Sequence, residues 1–187
     1  MKIYTVHPDT SYRSVMAEGN KREVFSSLSD YANPLDHPKF PNFYIPNLKE
    51  KPGNFYSLGI NSLLFDQKAL EALKPSIELA GQLFPVSVEQ LGTLTYCHLR
   101  EMCDCLDEEK SKGPIHPATG TASPLKKFVF YPSKVHSQSG LFRIPQGLSA
   151  KIFAVTDIPS RNDDFYSLYQ AAGLTGLEFR KVWSDEN

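Results

Sequence analysis

Cysteine is scarce in this sequence: three residues in 187, all between Cys97 and Cys105. An odd set in one short segment cannot staple distant parts of a chain, so the core must hold the fold, as expected in a reducing compartment. No run of 18 apolar residues occurs, which excludes a membrane-spanning helix. The opening stretch reaches Pro8 without the apolar core of a signal peptide. A cytoplasmic location is the expectation. Neither charge sign dominates: 20 Lys and Arg face 21 Asp and Glu, a formal net charge of −1. No five-residue window is mostly Lys and Arg, so nucleic-acid binding by bulk charge is not expected. Internal repeats and low-complexity tracts are also missing.

Signatures of chemistry are equally sparse. Phosphate and dinucleotide loops need glycines at set spacing ahead of a helix, whereas Gly173-Leu174-Thr175-Gly176 follows a helical pattern and reads as a stop and a turn. Cys97, His98, Cys103 and Cys105 are soft ligands, but they share one segment, and structural zinc usually joins two separated ligand pairs. Buried small hydrophobes are the better reading of the thiols. The cluster Asp104, Asp107, Glu108 and Glu109 lacks the glycine and neutral oxygen donors of a hard-cation loop and runs into Lys110 and Lys112. His7, His37, His98, His116 and His136 are scattered, and no local pattern pairs one with Ser, Cys or a carboxylate in a recognisable nucleophile motif. No catalytic residue, metal ligand or cofactor is therefore expected.

Apolar residues are present in quantity, 41% of the chain and 12% aromatic, enough for one continuous core. Fourteen Pro and 11 Gly cut the sequence into short elements. Residues 1–6 alternate as a strand does, and residues 11–31 carry Val15, Met16, Val24, Phe25 and Leu28 at helical intervals. Five prolines between residues 33 and 52 predict a coil anchored by Phe40, Phe43, Tyr44 and Ile45. A strand is expected over 55–64, then a helix over 67–74 capped by Asp66, with Leu70 and Leu73 inward and Pro75 ending or kinking it. Further strands are expected over 83–88, 92–99, 127–131, 140–144 and 151–156. Residues 112–123 read as a mobile loop. Asn162 is placed to cap a helix with the stripe Phe165, Leu168, Tyr169 and Ala172, stopped by Gly173. Leu177, Phe179, Lys181 and Trp183 then alternate with Glu178, Arg180 and Val182 as a closing strand. The whole predicts a single α+β domain over 1–187 with a mixed or mainly antiparallel sheet and a few short helices.

Four segments occur in an order that carries a resemblance: Cys103 to Ser111 (CDCLDEEKS), Gly140 to Pro145 (GLFRIP), Ile152 to Asp157 (IFAVTD) and Ala172 to Phe179 (AGLTGLEF). The chain resembles immunity protein family eleven of the bacterial polymorphic toxin systems, also filed as a domain of unknown function. The resemblance covers about residues 50–183; Leu73-Lys74-Pro75 and Phe84-Pro85-Val86 fit the family's earlier helix and strand, and residues 1–50 match weakly. It implies a small cytoplasmic protein, encoded beside a secreted toxin, that binds and neutralises the cognate toxin domain. It names no catalytic residues and does not identify the toxin.

For such a binder, candidate contacts are the acidic group Asp104, Asp107, Glu108 and Glu109, suited to a basic partner, and the Pro-rich loops around Phe43, Tyr44 and His116. Alternatives are an enzyme, a hydrolase or transferase whose site assembles only in the fold, with His98 or His136 beside Asp104 or Asp107 as the first pair to inspect, and a scaffold module of a toxin-delivery apparatus. Oligomeric state is left open.

Overall fold

The computed structural model describes residues 1–19, 28, 31, 33–58, 62–111, 127–145, 151–158 and 163–186. Alternation at the start becomes strand β1, Lys2–Pro8, with Ile3 packed on one face and Val6 on the other. Short strands β2, Met16–Ala17, and β3, Phe43–Tyr44, are followed by β4, Phe55–Tyr56, and β5, Leu63–Phe65. Helix α1, Gln67–Ala80, leads into the long hairpin of β6, Gly81–Val88, and β7, Gly92–Leu99. After them come β8, Leu141–Phe142, β9, Ile152–Thr156, helix α2, Phe165–Ala171, and β10, Leu177–Ser184.

These elements form an α+β domain of two sheets. One is antiparallel, with strand order β10-β1-β9-β8. The other is mixed, with order β2-β3-β6-β7-β5-β4, its parallel contact being Phe43 of β3 beside Val88 of β6. Helices α1 and α2 lie between the sheets. Ala69, Leu73 and Ile77 of α1 and Phe165 and Tyr169 of α2 share a core with Val6, Ile152 and Ala154 of the antiparallel sheet and Phe65, Cys97 and Leu99 of the mixed one. Each sheet also buries its other face. Val15, Phe43 and Ile45 cover Leu64 and Tyr96, while Cys105, Phe128 and Phe130 cover Phe142, Phe153 and Val155. A strand covered on both sides reads as continuously apolar, which is why β9 is buried at all five positions.

Several local expectations hold for the reasons given. Asp66 caps α1 by accepting from the Ala69 N–H at 2.8 Å. Leu73 is buried and Leu70 packs beside it. Gly173 takes a left-handed φ of +59° after α2. Others are corrected. Helix α1 does not stop at Pro75 but continues to Ala80, because Pro75 lies on the exposed face, where water can reach the Glu71 carbonyl that loses its donor. The single strand expected over 55–64 is two, β4 and β5, paired antiparallel. Residues 15–17 are extended, since Met16 and Ala17 pair with Tyr44 and Phe43, so the helix expected over 11–31 does not include them. Val24 and Phe25 lie outside the described residues. Asp164, not Asn162, caps α2, accepting from the Ser167 N–H at 2.9 Å; Asn162 lies outside the described residues, as does the loop 112–123.

Candidate partner-binding groove

Strand β10 was expected to place Trp183 on the same face as Leu177 and Phe179. The structure breaks that alternation. β10 pairs with β1 in steady register from Pro8 beside Leu177 to Tyr4 beside Lys181, but Ile3 then sits beside Trp183. Val182 is the extra residue of a β-bulge. Leu177 and Phe179 pack toward the helices, whereas Val182 and Trp183 both join the apolar cluster on the opposite face. Trp183 meets Phe130 edge-on at 5.9 Å between ring centroids.

The acidic segment forms the other wall. Residues 105–111 run beside 129–131: the Asp107 N–H donates to the Val129 carbonyl at 2.9 Å, the Tyr131 N–H to the Cys105 carbonyl at 2.8 Å, and the Ser111 hydroxyl bonds both Val129 backbone groups. Asp107 anchors the turn. Its carboxylate accepts from the Lys110 N–H and pairs with the Lys110 ammonium at 3.0 Å. Burial alone would raise the Asp107 carboxyl, but the hydrogen bonds and charge of Lys110, with a hydrogen bond from Tyr131, hold it below its ordinary value.

Between these walls lies a groove of about 680 Å³. Phe128, Val182 and Trp183, with Val129 and Pro132, are its apolar lining, and Glu109, Lys110, Lys127 and Asp185 are its charged groups. Two of these charges are already paired locally, Lys110 with Asp107 and Asp185 with the amino terminus at 2.7 Å.

The candidate contacts expected from sequence divide accordingly. Glu109 lines the groove, and Glu108 and Asp104 are exposed in the same segment. Asp107 is buried and belongs to the turn, so it is not part of an exposed acidic surface. Tyr44 is half-buried on β3 of the other sheet, away from this wall in the topology. His116 lies outside the described residues. Sequence reasoning missed Lys127, Phe128, Val182 and Trp183. The lone tryptophan was a visible signal, but regular alternation assigned it inward.

The proposed acid–base residues sit in different settings. His98 is fully buried in β7, its Nε2 3.1 Å from the Asn33 carbonyl and its ring stacked near Tyr31 and Tyr96. His136 lines a second groove of about 450 Å³ with Leu79, Arg100, Glu101 and Gln138. There the Glu101 carboxylate is held by the Ser139 hydroxyl at 2.6 Å and by the Gln138 and Ser139 N–H groups. Among the described residues no group of three or more His, Cys, Asp or Glu is placed to hold a metal ion, and no described helix is long and apolar enough to cross a membrane.

All three cysteines are free and buried. Burial pushes the Cys97 thiol up to about 12, Cys103 to about 11 and Cys105 to about 12. Iodoacetamide at about pH 8 is therefore expected to leave the folded protein unlabelled over a time that modifies every thiol after denaturation. Rapid uptake of one equivalent by the native protein, followed by mass spectrometry, would contradict this.

No family model matches the chain, and no curated protein is significantly similar to it.

Proposed function

We propose that this chain is a binding protein of the immunity type, which captures a basic toxin domain in the cytoplasm of the producing cell and acts by occlusion, without chemistry of its own. The observation that carries this reading is the groove in which the bulge at Val182 sets a large aromatic, Trp183, beside Val182 and Phe128 under a charged rim. An apolar anchor ringed by polar groups is the anatomy of a protein-binding hot spot. Glu109 on the rim, with exposed Glu108 and Asp104 nearby, suits a cationic partner.

The test is to sequence the adjacent reading frame and, where it encodes a large protein with a carboxy-terminal toxin domain, to co-express that domain with this chain. Rescue of growth with copurification of the two proteins is expected. Trp183→Ala should weaken the complex by roughly 2 kcal/mol, about thirtyfold. Because Trp183 also packs on Phe130, a second variant, Glu108→Lys with Glu109→Lys, changes only exposed charge and should raise the dissociation rate while leaving the circular dichroism unaltered. Rescue without copurification would replace this reading with an enzyme that repairs damage. No rescue and no binding would remove it.

A further inference from the structure

β10 ends the antiparallel sheet, leaving its outer edge without a neighbouring strand among the described residues. The direction of its backbone groups can be read. The Asp9 N–H donates to the Gly176 carbonyl at 2.9 Å, and the Thr5 hydroxyl reaches the Arg180 carbonyl at 3.4 Å. Gly176, Glu178 and Arg180 therefore direct their backbone groups toward β1. In an antiparallel ladder the alternate residues Leu177, Phe179 and Lys181 direct theirs outward. Leu177 agrees, since its N–H and carbonyl both meet the Tyr169 hydroxyl, at 3.1 and 3.4 Å. The regular part of this edge is short: Gly176, with φ of +101°, precedes it and the bulge at Val182 closes it. Its midpoint is Phe179.

We propose that this edge pairs with the same edge of a second copy of the chain, antiparallel about a two-fold axis at Phe179. A two-fold pairing is isologous, so each register places fixed residues opposite one another. Outward groups must also oppose outward groups. Centring on Glu178 sets Glu178 against Glu178; centring on Arg180 or Lys181 sets like cations together, and the latter also crosses the bulge. Centring on Leu177 makes backbone groups already held by Tyr169 the central bonded pair and leaves Glu178 opposite Gly176, with no charge to match it. Centring on Phe179 matches. It sets Phe179 against its copy as the one hydrogen-bonded pair, since Leu177, opposite Lys181, keeps its backbone bonds to Tyr169, and it places Glu178 against Arg180 twice, in the non-hydrogen-bonded positions where opposed side chains approach most closely. Glu178 and Arg180 are exposed and already form a two-point ion pair within one chain, at 2.9 and 2.7 Å, so pairing merges two such contacts into a ring of four alternating charges. The result is one sheet of eight strands. The groove at Trp183 lies beyond the bulge that ends the paired segment.

The purified chain should show a weight-average mass rising toward twice that of one chain as concentration increases in sedimentation equilibrium. Arg180→Glu and Glu178→Arg each replace both cross-strand attractions with repulsions and should each weaken self-association roughly a hundredfold. Mixed together, the two single variants should form a heterodimer, because one then carries two acidic and the other two basic residues at these positions. The double variant Glu178→Arg, Arg180→Glu should dimerise again. A wild-type chain that remains monomeric, or single variants that dimerise as well alone as mixed, would overturn the pairing. The mixing experiment reads association between folded partners, so loss of fold cannot imitate it.

Discussion

Gly176→Ala should be among the most damaging single substitutions in this protein, lowering stability by more than about 3 kcal/mol. Two costs coincide there. The residue sits at φ +101°, where an L side chain is strained, and a Cβ would fall 2.3 Å from the Phe55 carbonyl oxygen and 3.0 Å from the Phe55 nitrogen and carbonyl carbon. Those atoms are backbone and cannot rotate away. The contact is also tied on both sides: the Asn54 and Phe55 N–H groups donate to the Thr175 carbonyl at 3.1 and 3.0 Å, and the Asn54 side-chain oxygen accepts from the Thr175 N–H at 3.1 Å. This loop joins the entry to β10 with β4, and so one sheet with the other. Gly173→Ala supplies the control, because Gly173 is left-handed but has open space around the added carbon. It should cost only about 1 kcal/mol. Urea denaturation should show a large fall in midpoint for the first variant and a small one for the second, with similar slopes. Equal effects would mean that backbone strain, and not the approach to Phe55, governs Gly176.

Arg143→Ala should cost about 3–5 kcal/mol, by analogy with truncating any large core residue. Arg143 is fully buried, its guanidinium carbon lies 3.5 Å from the centroid of the Tyr31 ring, and its Nε donates to the Leu99 carbonyl at 3.2 Å. Burial lowers its pKa to about 10, which leaves it cationic near neutral pH. Among the described residues, Tyr31, Tyr96 and Cys97 act on that charge, with Tyr96 and Cys97 pushed toward their neutral forms by burial. Among the described residues the cation lies on the Tyr31 ring face and bonds the Leu99 carbonyl. Arg143→Met keeps most of the volume and relieves the desolvation of a charge, so its cost should be much smaller, within about 1.5 kcal/mol. Thermal or chemical denaturation of the two variants separates the contributions. A methionine variant as unstable as the alanine one would assign the stability to the charge; a wild-type midpoint for the alanine variant would refute the packing role altogether.

Elements with a local cause were legible. Asp66 ahead of an apolar stripe, Gly173 after one, alternation in β1 and the extended runs over 83–88 and 92–99 each depend on residues a few positions apart, and cap, stop and strands appear there, β6 starting two residues earlier at Gly81. The misreadings have distant causes. Continuation of α1 through Pro75 depended on which helix face meets water, and the extended form of Met16 on pairing with Tyr44, 28 positions away. The groove was legible by half. Glu108 and Glu109 stood out as an acidic run, but the inward turn of Asp107 needed Lys110 and Val129, and the exposure of Trp183 to the groove needed a bulge set against β1.

What the sequence determined alone was therefore the class of structure, α+β with short elements, and the charge and apolar supply of each segment, because propensity, capping and periodicity act over one or two turns of chain. Tertiary structure decided which faces were buried, where one extra residue entered a strand, and which residues became neighbours. Those outcomes depend on pairing and close approach between segments more than a hundred residues apart, such as Ile3 with Trp183 and Phe55 with Gly176, and no local pattern encodes their register.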